Sequence, residues 1–228
     1  MTVADLAVSV AQADKRVIAV SADLRKPRLH RFFNLANDIG VTSVLLGQAT
    51  LSDAILRPVG VPMLRIVASG PVPPNPAELL GSPGMEALLD RLRGVADFVL
   101  IDTPPTLVVS DALVLAPKVD AAVVVADAAS TTQGAIRHLR ERLEQVGANV
   151  IGGVLNDFDP ARAKTYGYGY GYGYGYGYGY GSYEDRRRQA PAPERPVARR
   201  GPSDDGGTQP VPGADEAEGI WKPESIWS

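Results

Sequence analysis

Short runs of apolar, largely β-branched residues recur along the first two thirds of the chain: RVIAV at 16–20, MLRIVA at 63–68, DFVLID at 97–102, DAAVVVA at 120–126 and NVIGGVL at 149–155. They are apolar at successive positions rather than alternating. That is the pattern of parallel strands covered on both faces. Around them, helical spacing predicts helices near 2–13, 84–93, 111–116 and 131–146. Alternating β and α elements imply an α/β domain with a mostly parallel sheet and right-handed crossovers. Ligands on such sheets bind beyond the carboxyl ends of the strands. The informative residues are therefore those that close each run: Ser21 to Arg25, Ser69 to Gly70, Asp102 to Pro105, Asp127 and Asn156.

Composition divides the chain. All nine tyrosines lie between Tyr166 and Tyr183, and both tryptophans, Trp221 and Trp227, lie beyond them. The aromatics before the tyrosines are Phe32, Phe33, Phe98 and Phe158, so the core is expected to be aliphatic. The expected organisation is a body over 1–164, a Tyr-Gly repeat over 165–183, and a Pro-rich, charged tail over 184–228 too poor in apolar residues to fold. The net charge of −3 offers no basic field, so no nucleic-acid partner is expected. There is no cysteine, and His30 and His138 stand apart, on expected helix or loop surfaces. No apolar run approaches the roughly 20 residues that span a bilayer, and the opening residues lack the pattern of a signal peptide.

Two acids stand out. DFVLIDTPP places Asp102 at the end of an apolar strand, where a carboxylate is poorly solvated unless it meets a cation or donors. It suits a Mg²⁺ site opposite phosphates, or a cap on the TPP turn. In VIAVSADLRKPR, Asp23 also follows an apolar strand, with Arg25 and Lys26 close behind. Carboxylate and cations together suit a metal–nucleotide site, the acid facing Mg²⁺ or a hydroxyl proton and Arg25 facing phosphate. A solvated loop with a local ion pair is the plainer alternative.

Several segments carry a resemblance. VIAVSADLRKPRLHRFFNL resembles the Walker A′ segment of the bacterial tyrosine kinases, within the wider MinD/ParA-like P-loop ATPases. DFVLIDTPP followed by SDALVLA resembles the same family's Walker B region. SGPVPPNPAELLGS resembles its proline-rich signature, DLAVSVAQADKRV the helix that follows its phosphate-binding loop, and GVLNDFDP a strand ending in an asparagine near the nucleotide base. The resemblance implies a three-layer P-loop NTPase fold and transfer of a phosphoryl group from MgATP to tyrosine. It implies Asp23 and Asp102 as catalytic and Mg²⁺-holding acids, and Arg25 and Asn156 as nucleotide-binding residues. It implies acceptor tyrosines at Tyr166, Tyr168, Tyr170, Tyr172, Tyr174, Tyr176, Tyr178, Tyr180 and Tyr183. The implied partners are a second copy, phosphorylated in trans, and a membrane chain-length regulator of capsule or exopolysaccharide export. The implied place is the cytoplasm, at the inner face of the plasma membrane, reached through that partner or an upstream region.

Two departures accompany it. No GxxxxGK[ST] loop occurs in the 228 residues; by the resemblance it and its strand would lie just before Met1. Ser21 stands where the Walker A′ segment has its first aspartate. Two other readings stay open: a MinD/ParA-like partitioning ATPase, which leaves the tyrosines unexplained, and a catalytically impaired pseudo-kinase that serves as a phosphoacceptor. Pro71, Pro73, Pro74 and Pro76 predict a stiff connector, with Pro76 opening a helix.

Overall fold

The computed structural model describes residues 1–159 together with Ile226 and Trp227. The elements run α1 (Thr2–Gln12), β1 (Val17–Ser21), α2 (Leu29–Phe32), α3 (Val41–Leu45), α4 (Leu51–Ala54), β2 (Ile55–Leu56) and β3 (Leu64–Val67). They continue with α5 (Pro76–Gly81), α6 (Pro83–Arg93), β4 (Phe98–Asp102), α7 (Asp111–Leu115), β5 (Ala122–Asp127), α8 (Gln133–Gln145) and β6 (Val150–Asn156). Helix starts follow from local chemistry. The Ser82 hydroxyl accepts from the Met85 N–H ahead of α6, and the Thr132 hydroxyl from the Ala135 N–H ahead of α8. Pro76 and Pro83 sit in first turns, where a missing N–H costs nothing.

Four strands form one sheet in the order β2-β3-β1-β4, with β1 parallel to both neighbours and β2 antiparallel to β3. Successive side chains of β1 serve opposite faces. Ile18 and Val20 join a cluster with Leu88, Leu89, Leu92 and Val95 of the α6 layer. Val17 and Ala19 join one with Ala4, Ala7 and Ala11 of α1. The small alanine stripe, at helical spacing, lets α1 lie close on the sheet. Three layers result, and β1 is wholly buried.

β5 and β6 pair with each other, in parallel, as a separate sheet. This corrects the expectation of a single sheet: among the described residues no strand bridges β4 and β5. It also corrects the expected burial of the fifth run, since every residue of β6 is exposed. One face of the β5–β6 pair meets α7 and α8 through Val124, Leu113 and Leu143. Nothing described covers the other.

Two further corrections concern side chains. His30 is buried in α2, not on a surface, and its Nδ1 has no partner among the described residues. Burial, then the charge of Arg31, holds its pKa below the ordinary imidazole value. Ile226 and Trp227, assigned to an unfolded tail, pack against the body instead. The tyrosines at 166–183 lie outside the described residues. Among the described residues no helix is long and apolar enough to cross a membrane.

Candidate functional site

The site is built where β1 and β4 end. Their ladder aligns Ser21 with Asp102, and the Ala22 N–H donates to the Asp102 carbonyl oxygen at 2.8 Å. Parallel pairing thus delivers the two strand ends, with Asp23 and Asp102 beyond or on them, to one edge of the sheet. Asp23 is fixed by its own turn, its Oδ1 accepting from the backbone N–H groups of Arg25 at 3.1 Å and Lys26 at 3.0 Å. The Asp102 carboxylate accepts no hydrogen bond from a described residue, so it is not the cap of the TPP turn. Burial, and then the negative charge of Asp23, pushes its pKa up to about 6, while the Met1 amino group draws it the other way. The Ser21 hydroxyl, fully buried opposite Asp102, has no described partner either.

The other end of the same two strands shows what a satisfied acid looks like there. Arg16 donates through its backbone N–H, at 2.9 Å, and its guanidinium, at 2.8 Å, to Asp97 just ahead of β4. Those bonds hold the Asp97 carboxyl down at about 2. Asp102 has no such partner.

Arg25 is placed by a residue that the sequence reading passed over. Its Nε and Nη2 donate to the two carboxylate oxygens of Asp111 at 2.8 and 2.9 Å. Asp111 is fully buried at the start of α7, while the Arg25 side chain is 40% exposed. The fork fixes the guanidinium plane and keeps one side open to solvent. Asp111 could have been suspected from SDALVLA, where an acid precedes a wholly apolar helix. Its partner is 86 residues away, and no local pattern names it.

The remaining expected residues do not gather here. Asn156 closes β6 opposite Asp127 in the second sheet, where its carbonyl accepts from the Ala128 N–H at 2.9 Å. Asp127 is spent on its own turn, accepting from Ala129, Ser130 and the Ser130 hydroxyl. Lys26 and Arg25 flank Asp23, but the Arg25 guanidinium pairs with Asp111, so the local ion pair of the plainer reading is not formed. The proline-rich segment is pinned at its start. Ser69 and Gly70 both donate to the Asn37 side-chain oxygen, and Gly70 takes a positive φ of 76°. A Cβ on Gly40 would lie 2.2 Å from the Ala68 carbonyl, so that loop can pass only as glycine.

Two carboxylates at a strand end fit Mg²⁺, which takes one or two protein oxygens and keeps waters and phosphates for the rest. The unsatisfied Asp102 and Ser21 are the observations that support the fit. Among the described residues no cluster of three or more metal-ligating side chains exists, which excludes an all-protein cage there.

No family profile matches the chain. Individual proteins do. Tyrosine-protein kinase YwqD of Bacillus subtilis is 38% identical over 166 residues, covering 73% of this chain and 70% of its own. The chain belongs to the bacterial tyrosine-protein kinases. Tyrosine-protein kinase ptk of Acinetobacter johnsonii is 41% identical, but this chain spans only 22% of its length. The kinase domain of Escherichia coli tyrosine kinase ETK superposes with a TM-score of 0.66 at 33% identity, over 77% of this chain and 66% of that one. The cell division ATPase MinD of Pyrococcus furiosus shares the fold, with a TM-score of 0.57 at 23% identity over 72% of this chain and 71% of its own. The family and the mostly parallel α/β fold expected from the sequence are thus met.

Proposed function

We propose that this chain is the catalytic body and acceptor segment of an ATP-dependent protein-tyrosine autokinase. The observation that carries the reading is the convergence of Asp23 and Asp102 at neighbouring strand ends, with Arg25 held beside them by Asp111. In this reading Asp102 and Asp23 hold Mg²⁺, and Arg25 faces the phosphates of ATP. Bound Mg²⁺ supplies charge neutralisation on the transferring phosphoryl group. Asp23 accepts the proton of the attacking tyrosine hydroxyl. Asn156 approaches the nucleotide base. Ser21 offers a hydroxyl where a carboxylate would add a second negative charge, which leaves Asp23 alone in that role. Chemistry of this type is mostly positioning and electrostatics.

The acceptors in this reading are the nine tyrosines from Tyr166 to Tyr183. Each repeats the same Tyr-Gly context from Tyr166 to Tyr180, so no one position is privileged. A second copy of the chain is the natural substrate. The resemblance adds a membrane-anchored chain-length regulator of capsule or exopolysaccharide export as the partner, and the inner face of the plasma membrane as the place.

The test joins a strand and GxxxxGK[ST] loop ahead of Met1 and supplies MgATP. Phosphopeptide mass spectrometry should find phosphate spread over several tyrosines of 166–183. Replacing all nine by Phe should remove it, and Asp102→Asn should lower it by about a hundredfold or more. Undiminished phosphotyrosine in Asp102→Asn would refute the reading. The MinD-like ATPase reading predicts ATP hydrolysis with no phosphotyrosine. No observation at this site favours it.

A further inference from the structure

The body contains no tryptophan, yet Trp227, near the far end of the chain, is seated on it. Its indole N–H donates to the Val95 carbonyl at 2.7 Å, just past α6. Ile226, only 4% exposed, enters the same apolar cluster as Ile18, Leu88 and Leu92. Between them stands Arg65 of β3. It aligns with Ile18 across the ladder, so it emerges on the face that carries this cluster. The residue is 4% exposed, an unusual burial for a guanidinium.

The partners of Arg65 explain why it is tolerated. Its Nε donates to the Ile226 carbonyl at 2.6 Å, and its Nη1 to the carbonyls of Pro62 and Leu64 at 2.7 and 2.9 Å. Its Cζ lies 4.8 Å from the Trp227 ring centroid, in cation–π range. Among the described residues these partners are carbonyls and a ring rather than carboxylates. The notch therefore offers a donor, an acceptor and an apolar floor. An aliphatic residue followed by tryptophan uses all three: a backbone carbonyl for Arg65, an indole N–H for Val95 and two apolar side chains for the cluster. Ile226 and Trp227 are the only large apolar side chains from Lys222 to Ser228, so the two residues stand out as anchors.

We propose that Ile226–Trp227 is a docking motif and that the notch formed by Arg65 and Val95 is its receptor, so that the chain closes on itself beyond the tyrosine run.

Trp221→Phe leaves Trp227 as the sole tryptophan, and its fluorescence reads the notch directly. Its emission is expected to the blue of a free KPESIWS peptide, with acrylamide quenching several-fold weaker. Both should persist on dilution of the chain by roughly a hundredfold, as a contact within one molecule requires. Emission and quenching equal to those of the peptide overturn the proposal, and a blue shift lost on dilution overturns closure within one chain. A second measurement uses the full chain carrying Ile226→Ser and Trp227→Ala, whose notch is vacant. Labelled KPESIWS should bind it saturably, and bind the unaltered chain roughly tenfold more weakly or worse, because the tethered motif competes. Equal binding to both chains, or no saturable binding to the vacant one, contradicts the assignment.

Discussion

The two ends of the β1–β4 pair carry acids of the same type in opposite condition. At the amino end Asp97 takes hydrogen bonds from both the backbone and the guanidinium of Arg16, and its pKa falls to about 2. At the carboxyl end Asp102 is half-buried without a donor and beside a second carboxylate, and its pKa rises to about 6. The five-residue strand Phe98–Asp102 starts just after the first acid and ends on the second. One end is a clasp and adds to stability. The other is a charge left without compensation, which detracts from stability and suits a site that waits for a cation. The contrast also separates structure from chemistry: an acid at a strand end is informative only when its partners are known.

The largest effect should come from cutting what joins the two ends. Ile18, fully buried in β1, packs between the sheet and α6. Ile18→Ala should lower unfolding stability by about 3 kcal/mol in denaturant titration, from lost burial and a residual cavity. Asp102→Asn should act in the other direction. In metal-free buffer at pH 8 it should stabilise the fold by between about 1 and 2 kcal/mol, because it removes an ionised group whose folded pKa is raised. The sign is fixed by linkage. The penalty on the unaltered protein is complete above the folded pKa of about 6 and absent below the ordinary carboxyl value of 3.8, so the gain should fade as pH falls through that window. Asp97→Asn should show the mirror image: a smaller loss, present at neutral pH and gone as pH falls below 3.8 towards about 2. The same series of pH-dependent melts reads both. Smallest of all, Ile151→Ala on the exposed β6 should change stability by less than about 0.5 kcal/mol.

That last pair, Ile18 and Ile151, marks the limit of what the sequence carried. Both sit in runs of successive apolar residues, and both runs form strands. Periodicity identifies a strand that can be covered on two faces; it does not say what covers it. β1 found helices on both sides, and β6 did not. The long helices α1, α6 and α8 were legible because several turns repeat one apolar face. The four- and five-residue helices α2, α3 and α4 and the two-residue β2 were not, since a single turn has no period to read. At the site, Asp23 and Asp102 were legible as acids closing apolar runs. The Arg25–Asp111 fork was not, because it joins residues that only the fold brings together. His30 gave no sign of burial beside the basic Arg28 and Arg31. The anchoring pair Ile226–Trp227 was read with its polar surroundings, although the two tryptophans of that stretch ran against its composition.

The central claim is that Asp102 and Asp23 form an uncompensated pair suited to a divalent cation. Carboxyl ¹³C NMR titration of Asp102, with Asp102→Asn to assign the resonance, measures this directly. Without metal the midpoint should lie near 6, and saturating Mg²⁺ should move it below the ordinary aspartate value, since the cation favours the charged form. A midpoint near 3.8 that does not respond to Mg²⁺ would contradict the account.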